Sequence, residues 1–266
     1  MKNSETLKQI VKDKYADIAM APKTGGCCGC SDSDQGLDYS VFSESYATQK
    51  GYMKDADLGL GCGLPTEHAD ILPGNAVLDL GSGAGNDCFV ARSIVGETGK
   101  VTGLDFTDEM LVKANRNNAI MGYTNVDFVK GDIEQMPLPD EIYDVVISNC
   151  VLNLVPDKQK AFSEINRVLK PGGHFSVSDI VLKGDLPDDM REAATLYAGC
   201  VSGALQKDDY LKTIEDAGFQ KIAIKKERDI NVPDDMLLPY ISKENLEGYR
   251  QSGAGIYSIT VTGYKS

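Results

Sequence analysis

The sequence predicts an α/β fold with a parallel sheet that helices cover on both faces. From Asn75 onward, short apolar runs alternate with stretches that have helical periodicity. The apolar runs are continuous in Val, Ile and Leu, which is typical of parallel strands buried on both sides. The 266 residues are enough for one domain with additions or for two small domains.

The N-terminal segment is expected to carry a helix and a cysteine-rich loop. An amphipathic helix begins near Ser4, which can cap it. Its apolar residues recur at helical spacing: Leu7, Ile10, Val11, Tyr15 and Ile18. The loop that follows is rich in Gly, Ser and Asp and holds Cys27, Cys28 and Cys30. Residues 37–60 are expected to be helical in part.

Five strands and three helices are predicted in the central part of the chain. The strands are, in chain order, NAVLDLG, KVTGLD, VDFVKGD, YDVVISN and HFSVSDIVL. The first helix runs from Gly85 to Val95, and the second begins after a cap at Thr107. The third runs from Asp157 to Lys170 and ends at Pro171-Gly172-Gly173.

The C-terminal part is expected to complete the sheet. A helix over KDDYLKTIEDAG precedes two strands, FQKIAIKKE and IYSITVTGYK. Residues 185–206 are expected to form a helical insertion above the sheet. The chain therefore divides into three predicted parts: residues 1–60 with the N-terminal helix and loop, residues 61–182 with the core of the sheet, and residues 183–266 with the insertion and the end of the sheet.

Composition and charge exclude several classes of function. The net charge of −13 repels phosphate backbones, so we expect no nucleic-acid partner. The apolar runs are too short for a membrane span, and the N-terminus lacks the apolar stretch of a secretory signal. We therefore expect a cytoplasmic protein without a membrane partner. Seven cysteines are an odd number for a disulfide framework, so reduced thiols are expected.

A glycine-rich turn between the first strand and the first helix predicts a cofactor site. In Asp79-Leu-Gly-Ser-Gly-Ala-Gly, the glycines permit a tight turn and let the backbone lie against a ligand. A dinucleotide fingerprint requires a glycine three residues after Gly83, where this chain has Asn86. The glycine spacing and the acidic Asp79 favour S-adenosylmethionine, which has no pyrophosphate.

Polar residues at the ends of three successive strands support this prediction, because such ends line the cofactor crevice of open α/β sheets. Asp105 is placed to bind the ribose hydroxyls, Asp132 the adenine amino group, and Asn149 the methionine end. In the alternative, the glycines only make a turn and the acids cap helices; the convergence of three strand ends favours the cofactor. The predicted contacts are Asp79, Gly81, Ser82, Gly83, Asp105, Phe106, Met110, Asp132, Ile133 and Asn149.

The stretch from Asp79 to Asp179 resembles the class I, seven-stranded S-adenosylmethionine-dependent methyltransferases. The resemblance implies a Rossmann-like seven-stranded sheet with helices on both faces, to which the N-terminal segment and the helical insertion are added.

The scattered cysteines need a separate explanation. Cys62, Cys150 and Cys200 lie before the core, after the fourth strand and in the insertion, so they could meet at one mouth and capture a soft atom. Zinc is a competitor, but only Cys27, Cys28 and Cys30 are clustered, without a second ligand pair. The chain has only two histidines, His68 and His174. On the residues alone, three unrelated buried cysteines are the favoured interpretation, and Cys88 is expected to be a small buried residue.

A second resemblance reverses that preference. The segments GLGCGLP, DLGSGAGNDCFVAR, SNCVLNLVPDKQKA, EINRVLKPGG and YAGCVSGAL together resemble the arsenite methyltransferases. The resemblance implies that Cys62, Cys150 and Cys200 bind trivalent arsenic and are the catalytic thiols. It also implies an accessory thiol or a disulfide in the N-terminal loop. Cys27, Cys28 and Cys30 are all candidates, and a pair with Cys62 is one hypothesis.

The implied activity is methylation of arsenite, or of its glutathione adduct, as a detoxification. Because the arsenic lone pair is the nucleophile, no general base is expected; catalysis is mainly positioning. Electrons return from thiols, with thioredoxin or glutathione as the reductant. Two alternatives stay open. One is a quinone-type C- or O-methyltransferase on the same sheet, and the other is a thiol-rich protein that binds metalloids without turnover.

Overall fold

The computed structural model describes residues 4–20, 43–186, 201, 203–238 and 241–266. The strands are β1 (Ala76–Leu80), β2 (Lys100–Asp105), β3 (Val126–Lys130), β4 (Tyr143–Asn149), β5 (Leu169–Lys183), β6 (Phe219–Asp229) and β7 (Gly255–Lys265). The helices are α1 (Ser4–Met20), α2 (Asn86–Val95), α3 (Asp108–Met121), α4 (Lys158–Val168), α5 (Lys207–Asp216), α6 (Asp234–Leu237) and α7 (Lys243–Ser252). Short 3₁₀ helices cover Pro65–His68 and Leu152–Leu154.

The strands form a seven-stranded sheet in the order β3-β2-β1-β4-β5-β7-β6. The pairs among β1 to β5 are parallel, as predicted. The last strand is inserted between β5 and β6 and is antiparallel to both, so the complete sheet is mixed; the sequence had left the orientation of the last two strands open. A strand buried on both sides is apolar in either direction, so its composition does not reveal its orientation.

Helices pack on both faces of the sheet, and alternate residues of each central strand supply the two cores. Leu78 of β1 and Val146 of β4 pack with Phe162 of α4 on one face. Val77 and Val145, their neighbours along the strands, pack with residues of α2 on the other face.

None of the helices in the described ranges has the length and apolar composition that a bilayer span requires.

Two local expectations differ from the structure. Of the segment 37–60, residues 37–42 lie outside the described residues, and residues 43–60 form turns and bends without a helix. Gly51 and Gly59 adopt positive φ angles that interrupt helical geometry. Helix α4 ends at Val168, two residues earlier than predicted, and Pro171 lies within β5. The β4–β5 register shifts at this point: Tyr143 pairs with Leu169, and the regular ladder begins only with the pair of Val145 and His174. Most of the predicted insertion, residues 187–200, lies outside the described residues.

Candidate active site

A cavity of about 1120 Å³, counted with the solvent space at its open mouth, lies at the carboxyl ends of the parallel strands. Nine of the ten predicted cofactor contacts line it: Gly81, Ser82, Gly83, Asp105, Phe106, Met110, Asp132, Ile133 and Asn149. Cys150 lies on the same wall as Asn149. The polar residues at the strand ends therefore lie around one cavity, as the sequence predicted.

Asp79 is the exception, because it lies behind the glycine turn and not on the cavity wall. It is buried and accepts a hydrogen bond from Cys88 Sγ at 3.2 Å. Burial raises the pKa of Asp79 well above its usual value, and the nearby Asp87 raises it further. Cys88 is fully buried, as expected.

The glycine turn is tied to the end of β2. Gly81 has a φ of +66°, and a Cβ atom there would lie 2.4 Å from a Val151 methyl carbon. Gly83 N–H donates to Asp105 Oδ2 at 3.0 Å, and Thr107 N–H donates to Asp105 Oδ1 at 2.8 Å. Burial raises the pKa of Asp105, and these backbone hydrogen bonds oppose the shift. The Thr107 side chain makes no capping hydrogen bond to α3. Asp105 thus joins the glycine turn to the residue before α3, and it still has acceptor capacity for a ligand.

A buried hydrogen-bond network connects this cavity to the segment around Cys62. The Tyr46 hydroxyl contacts both carboxylate oxygens of Asp87 at 2.8 Å, and it also accepts a hydrogen bond from Asn149 Nδ2. Burial raises the pKa of Asp87 to about 6, although the bonds from Tyr46 and Asn149 oppose the shift. Sequence reasoning missed Tyr46 and Asp87, since no motif or periodicity marks either residue.

Helix α1 covers one side of the cavity. Lys8, Val11 and Tyr15 line it, and Lys8 Nζ donates to Asp132 Oδ2 at 2.5 Å and to Glu134. The N-terminal helix therefore contributes to the wall of a cavity that lies at the edge of the sheet, although the first strand of the sheet begins more than 60 residues after Lys8. The sequence predicted this helix but not its position.

Two of the three predicted thiols come together beside the cavity. The sulfur atoms of Cys62 and Cys150 and a carboxylate oxygen of Asp179 lie within 4.8 Å of one another, and all three residues are buried. The two cysteines belong to an apolar cluster with Ile180 and Val201. Cys200 precedes Val201 in the chain but lies outside the described residues, as do Cys27, Cys28 and Cys30.

Close backbone contacts hold Cys62 in place. Its N–H donates to Asn149 Oδ1 at 3.0 Å, and its carbonyl accepts from Ser258 Oγ at 2.6 Å. A Cβ atom at Gly61 would lie 2.5 Å from Asn149 Nδ2, and one at Gly63 would lie 2.6 Å from Ser178 Oγ. The two glycines of the GCG segment are therefore required for the approach of this loop to β4 and β5.

Cys150 takes its position from the end of β4. It has a φ of +60°, which is uncommon for a residue other than glycine, and its N–H donates to the Ser178 carbonyl of β5 at 2.8 Å. This bond continues the β4–β5 ladder after Asn149 pairs with Ser178. Strained backbone of this kind concentrates at functional sites.

Asp179 is the third member of this group, and sequence reasoning missed it. It is fully buried, and Tyr210 and the Ile180 N–H donate to it at 3.2 and 3.0 Å. Burial raises the pKa of Asp179 to about 7, and the ammonium group of Lys158 opposes the shift. The available signal was an aspartate inside the otherwise apolar strand HFSVSDIVL.

Comparisons with known proteins agree with this architecture. A family model described as a methyltransferase domain matches residues 71–218. An arsenite methyltransferase of Halobacterium salinarum is 39% identical, in an alignment that covers 99% of this chain and 68% of that protein. The chain belongs to the arsenite methyltransferase family. It is accordingly an S-adenosylmethionine-dependent methyltransferase.

A solved structure supports membership of the arsenite methyltransferases. The arsenic(III) S-adenosylmethionine methyltransferase of Chlamydomonas reinhardtii superposes with a TM-score of 0.65 and 37% identity, over 77% of this chain and 67% of that chain. Four further arsenite methyltransferases are longer, and this chain spans between 44% and 62% of their lengths. A ubiquinone/menaquinone biosynthesis C-methyltransferase of Shewanella halifaxensis is 33% identical over 59% of this chain and 70% of that protein.

Proposed function

We propose that this arsenite methyltransferase homologue transfers a methyl group to trivalent arsenic that Cys62, Cys150 and Cys200 bind as thiolates. The observation that carries the proposal is the meeting of the Cys62 and Cys150 sulfur atoms, from residues far apart in the chain, beside the wall of the large cavity. Soft thiolates are the preferred ligands of thiophilic atoms. Among the described residues, these cysteines and Asp179 are the group suited to hold such an atom.

The acidic lining of the cavity suits S-adenosylmethionine. The cofactor carries a positive sulfonium and an ammonium group, and it supplies the electrophilic methyl group. Asp87 and Asp105 lie on the cavity wall, and Asp79 lies behind it. We assign the methionine end to the side of Asn149, because Asn149 lines the cavity next to Cys150, and the ribose to Asp105, whose carboxylate keeps acceptor capacity there.

The Asn149 side chain connects the Cys62 loop to the cofactor cavity. Its amide oxygen accepts from the Cys62 N–H, and its amide nitrogen donates to the Gly63 carbonyl at 2.8 Å and to Tyr46. One side chain thus fixes the Cys62 loop and faces the cofactor cavity. Such fixed geometry is what a direct transfer between two bound groups requires. The apolar residues around the sulfur atoms exclude water from the arsenic.

The redox step needs a thiol reductant. When the arsenic lone pair takes the methyl group, arsenic becomes pentavalent, and two thiolates return two electrons as they form a disulfide. We propose that glutathione or thioredoxin then reduces the disulfide by thiol–disulfide exchange. Cys27, Cys28 and Cys30 remain candidates for one partner of this disulfide. The methylated arsenical leaves as the product of a detoxification.

The decisive experiment is incubation with arsenite, a thiol and S-adenosylmethionine, followed by chromatographic speciation of arsenic. We expect Cys62→Ser, Cys150→Ser and Cys200→Ser each to lose arsenic methylation. Cys88→Ser is the matched control, because Cys88 is equally buried and a serine keeps a donor for Asp79. Arsenic methylation by Cys150→Ser at a rate close to that of the unaltered enzyme would contradict the role of Cys150 as a required arsenic ligand.

A quinone-type substrate is the second candidate, because of the similarity to the Shewanella enzyme. That similarity covers 59% of this chain, whereas the Halobacterium protein aligns with 99% of it. A quinone methyltransferase would retain activity on a quinone precursor after Cys150→Ser and would ignore arsenite. Binding of arsenite without consumption of S-adenosylmethionine would instead identify a metalloid-binding protein without turnover.

A further inference from the structure

Beside the two sulfur atoms lies a carboxylate whose contact with the substrate the proposed function does not specify. Asp179 is fully buried, and one of its oxygens is within 4.8 Å of both sulfur atoms. A buried carboxylate is costly unless it has hydrogen-bond donors or serves a bound group. Its place on β5 beside the end of β4 therefore needs an explanation.

The protein holds this carboxylate in one orientation. The Ile180 N–H donates to Oδ1 at 3.0 Å, and the Tyr210 hydroxyl donates to Oδ2 at 3.2 Å. The Asn153 backbone supplies a further hydrogen bond. Tyr210 is itself fully buried in the core between α4 and α5. A carboxylate can accept about four hydrogen bonds, so Asp179 has capacity for a further donor on its sulfur side.

The chemistry of arsenite supplies such a donor. Arsenite carries three hydroxyl groups, and two cysteine thiols replace two of them in the exchange As(OH)₃ + 2 RSH → (RS)₂AsOH + 2 H₂O. Each thiol proton leaves with a hydroxide as water, so the exchange adds no net charge to the buried site and oxidises nothing. One hydroxyl remains on arsenic.

We propose that Asp179 is a positioning residue of the arsenic site and accepts a hydrogen bond from the hydroxyl that arsenic retains after Cys62 and Cys150 bind. This inference rests on the proposed function, because it assumes those two cysteines as ligands. The bond selects which position of arsenic keeps the hydroxyl until a third thiol replaces it. It also favours arsenicals with three hydroxyl groups over those with two.

Two ligands of matched size test the proposal: arsenite, and methylarsonous acid, CH₃As(OH)₂. Bound by two thiols, the first keeps a hydroxyl, whereas the second presents a methyl group in its place. Affinities are measured by equilibrium dialysis with elemental quantification of arsenic, in full-length Cys200→Ser protein and a phosphine reductant. The serine prevents a third thiol from removing the hydroxyl.

We expect Asp179→Asn to bind arsenite about tenfold more weakly, the loss typical of one buried hydrogen bond that is no longer made in the same geometry. Its affinity for methylarsonous acid should stay unchanged. Tyr210→Phe removes the donor that orients Asp179 Oδ2, and it should give a smaller loss with the same selectivity. This second variant decides the question if Asp179→Asn does not fold.

Equal weakening of both arsenicals, or of neither, would overturn the role of Asp179. That failure is distinguishable from failure of the proposed function. If a Cys62→Ser substitution leaves the affinity for both arsenicals unchanged, the thiol site itself is wrong and the inference falls with it. If both arsenicals need Cys62 but Asp179→Asn discriminates between neither, only the inference is wrong.

Discussion

The position of the Cys62 sulfur depends on the glycines on either side of Cys62. Gly63 lies against β5, where an added Cβ would come 2.6 Å from Ser178 Oγ and 2.7 Å from Ser178 Cβ. Neither atom can retreat easily, because Ser178 Oγ is hydrogen-bonded to Thr260 Oγ1 at 2.8 Å. A side chain at this position therefore has to push the whole Cys62 loop away from Asn149.

We predict that Gly63→Ala lowers arsenite binding and methyl transfer at least tenfold, with a smaller effect on the cofactor. The displaced loop breaks the Cys62 N–H bond to Asn149, which costs about 1 kcal/mol, and moves the sulfur. Gly248→Ala is the control, because Gly248 is exposed within α7 and an added Cβ meets nothing within 4 Å. Unchanged arsenite affinity in Gly63→Ala would contradict the role given to this contact.

At this scale, sequence reasoning found the residues that stand at strand ends and missed those that support them. Asn149 and Cys150 follow a recognisable strand, so their place beside the cavity could be predicted. Tyr46 and Asp179 reach the site from a turn segment and from inside a long strand. Their roles depend on tertiary contacts: Tyr46 contacts Asp87, and Asp179 contacts Tyr210. No sequence pattern marks contacts between residues so far apart in the chain.

At the scale of elements, α1 is a helix that comes before the sheet in the chain and forms part of the cavity wall. It contributes Lys8, Val11 and Tyr15 to the cavity. Lys8 is its main polar attachment to the wall, through Asp132 and the nearly buried Glu134. A cofactor bound in the cavity would be covered by this helix, so its docking should affect cofactor affinity.

We predict that Lys8→Ala raises the dissociation constant for S-adenosylmethionine about fivefold, because removing one member of a partly buried charge cluster costs roughly 1 kcal/mol or more. Calorimetric titration measures the change. Lys12→Ala is the matched control on the same helix, since Lys12 pairs with the exposed Asp108 at 3.5 Å and such pairs contribute little. Equal effects of the two substitutions would show that the helix does not close the cavity through Lys8.

The elements also show where prediction from sequence stops. Strands β1 to β5 were recognisable because each is a short apolar run between helical or turn segments. The antiparallel β7 was recognisable as a strand but not in its place between β5 and β6. Pairing order depends on contacts that join Phe175 of β5 to Phe219 of β6 across β7, and no local pattern encodes them.

For the whole molecule, the acidic site carries a cost in stability. Burial raises the pKa of Asp179 to about 7 and that of Asp87 to about 6, both above the usual value of 3.8. At pH values between 3.8 and these raised pKa values, the folded protein therefore holds protons that the unfolded chain has already released. Stability is then lost as the pH rises from the unfolded pKa toward the folded pKa.

We predict that the free energy of unfolding falls between about pH 5 and pH 7.5, and that Asp179→Asn removes much of this fall. The raised pKa of Asp179 gives a contribution that is fully present below about pH 4 and is lost by about pH 7, on the order of 3 kcal/mol over the measured interval. The amide that replaces the carboxyl group does not titrate, so the variant should gain relative to the unaltered protein as the pH rises. Urea unfolding followed by circular dichroism at both pH values measures the two slopes.

Asp108→Asn is the opposite control, because the ammonium of Lys130 lowers the pKa of that exposed carboxyl and its contribution is lost on acidification. Parallel profiles for Asp179→Asn and the unaltered protein would mean that Asp179 is ionised in the folded state throughout this range.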